Sequence, residues 1–465
     1  MSISGIADDL SRWAEGAQDR FSELFEPSLR LGVTGLARSG KTVFITSLAA
    51  NLLRRSRMMG LTAQAEGRIL AAALSPQPDM EAPRFDFEKH LGDLYAAPPR
   101  WPDSTSSVAQ LRVSIRYEPT GILANLTGDA ALHLDIVDYP GEWLLDLALM
   151  PMSYDDWART ALAAAATRVQ AADYIEWMRG VDPEADFIEG DAQTGARLFS
   201  AYLQACRRAG YSNLTPGRFL LPGEMAGAPA LTFAPLPPHS DGAKGSLAAT
   251  MAERFEAYKR VVVRPFFRDH FARLDRQIVL VDALGAISNG AEAVADMEMA
   301  LTGILGAFRP GANSWLSAIL GKKIDKLLLA VTKADHIHHR YHPSLQALVR
   351  DLLSQSVDRA AFKGAEVDAI AIAGVRATIE EEIRRAGETV PVVRGRLPSG
   401  EQAQLFPGEP PNSMTQLARS DWGADVFAVE PLAPPVLEPR EDEGPPHIRL
   451  DQALEFLIGD RLGGR

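Results

Sequence analysis

Cysteine is almost absent. Cys206 is the single one among 465 residues, so neither an internal disulfide nor a cysteine-built zinc site can form, in keeping with a reducing compartment. Core packing is the expected role of its side chain. Long apolar runs are also missing: none is long enough to span a bilayer, and the first nine residues lack the basic-then-apolar layout of a secretion signal. A cytosolic location is therefore expected. Positive charge is in deficit, with 48 Lys and Arg against 60 Asp and Glu, a net −12. Such a chain repels a phosphate backbone unless a local basic patch overrides the balance, and none stands out, so no nucleic-acid partner is expected. The rest is ordinary globular composition, 46% hydrophobic and 23% charged, long enough for one large elaborated domain or about two to three smaller ones.

One stretch organises the chain. From Gly35 to Thr42 it reads G-L-A-R-S-G-K-T, the phosphate-loop pattern G-x-x-x-x-G-K-[ST]. The glycines let successive backbone N–H groups turn inward around a phosphate, and the N-terminus of the next helix adds partial positive charge. In this pattern Gly35, Arg38, Ser39 and Gly40 form the cradle, Lys41 reaches the β- and γ-phosphates, and the Thr42 hydroxyl ligates Mg²⁺. The context agrees, because Leu29–Thr34 reads as a buried strand and Val43–Leu53 as an apolar-faced helix.

Residues 1–27 predict an amphipathic helix, with Ile6, Leu10, Trp13, Ala17, Phe21 and Leu24 on one face. Its polar face is acidic, the wrong sign for anionic lipid, so docking on the nucleotide domain is preferred. Residues 61–110 show little periodicity. Thr105 is the candidate there for a residue sensing Mg²⁺ and the γ-phosphate, although an ordinary surface loop explains its Ser/Thr cluster equally well. Leu111–Glu118 and Ala131–Asp138 read as a hairpin. The second strand ends in D-Y-P-G-E, placing Asp138 at a strand tip to hold Mg²⁺, Gly141 where its N–H can meet a γ-phosphate, and Glu142 where it can touch the attacking water. Residues 142–277 turn helical and read as an insertion with its own packing surface. Strand patterns resume at Ile278–Asp282, Leu327–Val331 and Val367–Ala373. The chain is therefore expected to be an α/β protein of the P-loop NTPase class. A central, mostly parallel sheet with one antiparallel hairpin strand carries helices on both faces and a large helical insertion. The expected divisions are a nucleotide-binding G domain over 28–141 and 278–390, the insertion over 142–277, and a hairpin, linker and docking helix over 391–465.

Thr332, Lys333 and Asp335 form T-K-A-D after an apolar strand. In the N/T-K-x-D arrangement the carboxylate accepts from guanine N1–H and the exocyclic amino group, and the lysine stem lies along the purine. Adenine offers an acceptor at N1 and no amino group, so a buried carboxylate discriminates against it. Thr332 stands where Asn is commoner, weakening the loop's bracing. Ala373, Gly374 and Val375 follow the last strand, where a backbone N–H can meet guanine O6. His336, His338, His339 and His342 crowd after T-K-A-D, read either as a polar loop entrance or as two imidazoles near one metal.

With the phosphate loop, D-Y-P-G-E, I-V-L-V-D, T-K-A-D-H and the C-terminal H-I-R-L-D-x-A-L-E-F-L-I-G-D in view, the chain resembles the YcjX-like family of bacterial P-loop GTP-binding proteins over nearly its whole length. The resemblance implies a cytosolic, stress-associated NTPase with an inner-membrane protein as partner. Two functions then compete. One is a slow, Mg²⁺-dependent GTP hydrolase binding GTP and GDP, with Lys41, Glu142 and Arg38 in catalysis. The other is an ATP-using P-loop enzyme, an ATPase or a small-molecule kinase. G-L-A-R-S-G-K-T also resembles the loops of dimerising large GTPases. That likeness implies a homodimer through the G domain in which Arg38 swings onto the phosphates as an arginine finger; a solvated surface arginine is the alternative.

Overall fold

The computed structural model describes residues 27–36, 38–103, 107–120, 128–237, 244–307, 324–356, 365–385, 387–419 and 426–463. The N-terminal amphipathic helix and Thr105 lie outside the described residues. Seven strands make the main sheet: β1 (Ser28–Gly35), β2 (Ile69–Ser75), β3 (Ala109–Tyr117), β4 (Ala130–Asp138), β5 (Arg276–Val281), β6 (Lys326–Val331) and β7 (Glu366–Ala371). Their order is β2-β3-β4-β1-β5-β6-β7. β3 pairs antiparallel with both β2 and β4, while β4, β1, β5, β6 and β7 are mutually parallel. Thus β3 alone among the described strands of this sheet runs against the rest, as the hairpin pattern predicts. The outermost strand, β2, is an addition. Its I-L-A-A-A-L-S sequence is alanine-rich, and alanine carries little strand preference.

Alternation along the central strands explains why both faces are covered. Ile278, Leu280, Leu328 and Ala330 point into one apolar cluster, which also holds Phe44, Ile45 and Leu48 from helix α1 (Lys41–Arg54). Val279, Val281, Leu327, Leu329 and Val331 point into the other. That second cluster continues without a break into the helices after Asp138. They include α2 (Tyr154–Ala166), α3 (Glu189–Arg208) and α4 (Leu247–Tyr258), packed around Trp157, Phe199, Phe233 and Phe255. Serines cap two of them: the Ser153 hydroxyl accepts from Asp156 N–H at 3.1 Å, and the Ser246 hydroxyl from Ala249 N–H at 3.2 Å. α2 ends at Ala166, and a separate helix spans Ala172–Arg179. Cys206 is buried in this core.

Beyond β7 the chain forms a second sheet, β8 (Thr378–Arg385), β9 (Glu388–Arg396) and β10 (Gln402–Leu405), in the order β10-β9-β8. β9 and β10 form the hairpin expected at the start of 391–465, turning at Pro398-Ser-Gly. β8, with the sequence T-I-E-E-E-I-R-R, has no strand-like alternation of polarity and is held by its antiparallel pairing with β9. The chain closes on helix α5 (Leu450–Ile458), which buries Leu450, Leu454, Leu457 and Ile458 against the α1 face of the sheet. Each such side chain stabilises the dock by about 1.5–3 kcal/mol. No helix of the described residues is long and apolar enough to cross a membrane.

Candidate nucleotide site

The loop from Gly35 to Thr42 joins the C-terminal end of β1 to the first turn of α1. Gly40, at φ 74°, precedes the helix and its carbonyl accepts from Phe44 N–H at 2.9 Å, so the helix starts with its amides facing the loop. Parallel pairing sets Asp138 of β4 opposite Val33, two residues before Gly35. Lys41 Nζ consequently meets Asp138 Oδ1 in a partly buried ion pair. The other carboxylate oxygen, Asp138 Oδ2, and the neighbouring Thr34 hydroxyl are buried without hydrogen-bond partners among the described residues. Thr42 is buried at the start of α1. A hydroxyl and a carboxylate with an orphaned oxygen are hard oxygen donors, and that set fits Mg²⁺.

Gly141 packs directly on the loop, where a Cβ would overlap the Gly35 carbonyl, so only glycine fits there. Glu142 follows, nearly buried. The Arg207 guanidinium of α3 stands 2.9 Å from its Oε1, with side-chain exposures of 29% for Arg207 and 7% for Glu142. The two are close without being aligned, since Glu142 Oε1 accepts no hydrogen bond among the described residues. Lys41, Thr42, Arg38, Glu142 and Arg207 share the small phosphate-side cavity, about 70 Å³. Arg38, at φ 63°, is exposed and donates to the Arg208 carbonyl at 3.1 Å, so its guanidinium rests on the C-terminal end of α3.

The cleft continues past Arg38 into a larger cavity of about 400 Å³, lined by Thr332, Lys333, Asp335, Ala373, Gly374 and Val375 together with Phe44, Trp101 and Leu432. Here β6 ends and the loop after β7 crosses it: Ala334 N–H donates to the Ile372 carbonyl at 3.0 Å. Asp335 is buried. Its Oδ2 accepts from Ala377 N–H at 2.8 Å, which fixes the plane of the carboxylate, and the Thr378 hydroxyl donates to its main-chain carbonyl. Lys333, at φ 59°, pairs through Nζ with Asp282 at the tip of β5. Asp282 also caps the next helix, accepting from Gly285 N–H at 2.9 Å. Thr332 contributes a hydroxyl bond to the Val281 carbonyl at 3.3 Å.

Ala373, Gly374 and Val375 line the cavity; Ala373 N–H donates to the Ile448 carbonyl at 3.1 Å, and Gly374 lies tight against the Phe44 backbone. The histidines divide. The ring of His342 is tied to the Ala334 carbonyl at 2.7 Å and to Arg449 at 3.0 Å, a structural post. His338, His339 and Glu380 bring three ligand-type atoms within 4.8 Å of one another outside the cleft, with His339 bonded to Glu380 at 2.8 Å. Burial pushes His338 below the ordinary histidine pKa, so its ring is neutral near pH 7.

Sequence reasoning missed Arg207, Asp282, Trp101 and Leu432. Trp101 Nε1 donates to the Leu432 carbonyl at 2.7 Å, tying the segment before Thr105 to the C-terminal segment at the larger cavity, which both residues line. Trp101 sits in a P-P-R-W-P run, and its partner lies 331 residues away along the chain.

Comparison with known proteins adds relatives. Residues 29–462 match the YcjX-like family, DUF463. Over 449 residues the chain is 39% identical to a protein of Escherichia coli (strain K12) named Ras-like GTPase YcjX, covering 93% of this chain and 96% of that one. Over 487 residues it is 35% identical to a protein of the same name from Shewanella oneidensis, covering 98% and 100%.

Proposed function

The chain belongs to the YcjX-like family, and from that premise and the shape of the cleft we propose that it is a GTP-binding protein and a slow, Mg²⁺-dependent GTP hydrolase. The observation that carries the reading is the continuity of the two cavities. Lys41, Thr42 and Glu142 line one end, Lys333 and Asp335 the other, and Arg38, Ser39 and Gly40 border both. The names of the two relatives support it.

In this reading the amides from Arg38 to Lys41 and the Lys41 ammonium hold the phosphates. Lys41 exchanges Asp138 for them, which its flexible stem permits. Thr42 and Asp138 would hold Mg²⁺, which when bound would supply charge to neutralise the phosphate oxygens. Gly141 N–H meets the γ-phosphate. Asp335 selects guanine, Lys333 lies along the base, and Gly374 or Val375 N–H meets O6. Glu142 orients the attacking water. Its carboxylate can accept a hydrogen bond from that water but repels the γ-phosphate, so intrinsic turnover is slow. Arg38 acts when two G domains meet, leaving the Arg208 carbonyl to reach the phosphates. By family resemblance the proposal extends to a cytosolic, stress-associated switch working with an inner-membrane protein.

Titrating the protein with fluorescent GDP, and competing with ADP and ATP in the presence and absence of Mg²⁺, tests this directly. Guanine nucleotides should bind far more tightly than adenine ones, and GTP should be converted slowly to GDP and phosphate. Equal affinity for ADP and GDP would turn the reading to an ATP-using enzyme.

A further inference from the structure

Among the described residues, the Arg207 guanidinium is the one cation in the phosphate-side cavity that comes from outside the sheet and its loops. It is carried by the last turn of α3, an element of the helical region, and it faces the same space as Lys41 and Thr42. That end of α3 is firmly anchored. Leu203 and Cys206 are buried beneath it, and the turn after it is held by the buried Asp296 carboxylate, which accepts from Asn213 N–H at 2.7 Å and also binds Ser212 N–H. Asp296 pairs with Arg168 at 2.7 Å as well. The guanidinium is therefore delivered from a fixed base, and only its own side chain must turn.

Arg207 is paired with Glu142, the residue that follows Gly141, and the pair is loose: 2.9 Å apart without an aligned hydrogen bond. A γ-phosphate carries more charge than one carboxylate and offers three acceptor oxygens, so it competes well for a guanidinium held in this way. Resting on the hydrolase reading above, we infer that Arg207 is a catalytic arginine supplied in cis by the helical region. It exchanges Glu142 for the γ-phosphate and leaves Glu142 free to accept a hydrogen bond from water. In the step it assists, the water oxygen bonds to the γ-phosphorus while the bond to the β–γ bridging oxygen breaks. GDP leaves with the electron pair on that oxygen, and the water's proton passes to the released phosphate. Arg207 neutralises charge gathering on the γ- and bridging oxygens. Because it comes from the same chain, its contribution does not depend on protein concentration, unlike that of Arg38.

The test is single-turnover GTP hydrolysis with Mg²⁺ by wild type, Arg207→Ala and Arg207→Lys, with fluorescent GDP affinity measured alongside. Switch GTPases with and without a cis arginine differ by about 20- to 30-fold in intrinsic rate, and Arg207→Ala should lose about that much at every protein concentration. GDP affinity should stay within about threefold of wild type, since GDP lacks the γ-phosphate. Free guanidinium should restore part of the Arg207→Ala rate and leave that of wild type unchanged, a response a purely structural arginine does not give. If Arg207→Ala does not fold, Arg207→Lys, which keeps charge and stem but not the fork, should show an intermediate loss. Hydrolysis at the wild-type rate by a folded variant overturns the inference and leaves the hydrolase reading standing. Failure of wild type to bind or hydrolyse GTP overturns that reading instead.

Discussion

Asp146 is a carboxyl that the fold keeps protonated near neutrality, and replacing it with asparagine should change how stability depends on pH. It sits one turn beyond Glu142, buried, with the Tyr258 hydroxyl on Oδ2 at 2.5 Å and Gly217 N–H on Oδ1 at 2.8 Å. Burial raises its pKa from 3.8 to about 7, outweighing these two donors and the Arg218 charge, all of which pull the other way. The sign follows. Below 3.8 the group is neutral whether the chain is folded or unfolded. Between 3.8 and about 7 the unfolded chain ionises while the folded protein holds its proton, so stability falls as pH rises. At about 1.4 kcal/mol for each unit of pH the full loss is about 4 kcal/mol, and about 2–3 kcal/mol of it falls between pH 5 and 7. The amide of the Asp146→Asn side chain can accept from Gly217 N–H and donate to the Tyr258 oxygen without titrating. Urea unfolding of wild type and Asp146→Asn at pH 5, 6, 7 and 8 isolates the group, because other titrations cancel in the difference. The variant should gain about 2–3 kcal/mol relative to wild type across that range. A difference that does not change with pH would refute the reasoning.

Lys41→Ala should weaken fluorescent GDP binding by about 10- to 100-fold, the worth of charge-assisted bonds to phosphate, while the circular-dichroism melting curve stays cooperative. Asp335→Asn should lower GDP affinity at least about tenfold and raise that of xanthosine diphosphate, whose base offers an acceptor where guanine has its amino group; an unchanged ratio of the two affinities counts against the base pocket. Arg276, 2% exposed, joins β5 to the end of α5 through the Leu457 carbonyl and a paired contact with Asp460, 2.6 Å on one side. Arg276→Met should destabilise by about 2–3 kcal/mol, less than a fully buried pair because Asp460 is a third exposed, and should speed amide exchange in 450–458 before the rest of the chain.

The sequence by itself determined what depends on short spacing. The turn from β1 to α1 follows from two glycines, a lysine and a threonine at fixed intervals, because consecutive amides and a helix start are neighbours in the chain. The tip position of Asp138, the single antiparallel strand β3 and the apolar strand before Thr332 follow from alternation, since a strand's side chains repeat every two residues. Local reading failed where the partner is remote or the pattern is carried by pairing alone. β8 is a strand because β9 lies beside it. Ala373 and Ile448 pair only after the chain has gone round the second sheet, so nothing local signals their bond. No motif or spacing in the sequence marks Arg207 or Trp101. Only the tertiary structure put one beside Glu142 and the other on Leu432 at the larger cavity, because such contacts are set by how helices and sheets pack, and packing brings together residues whose separation along the chain carries no period to read.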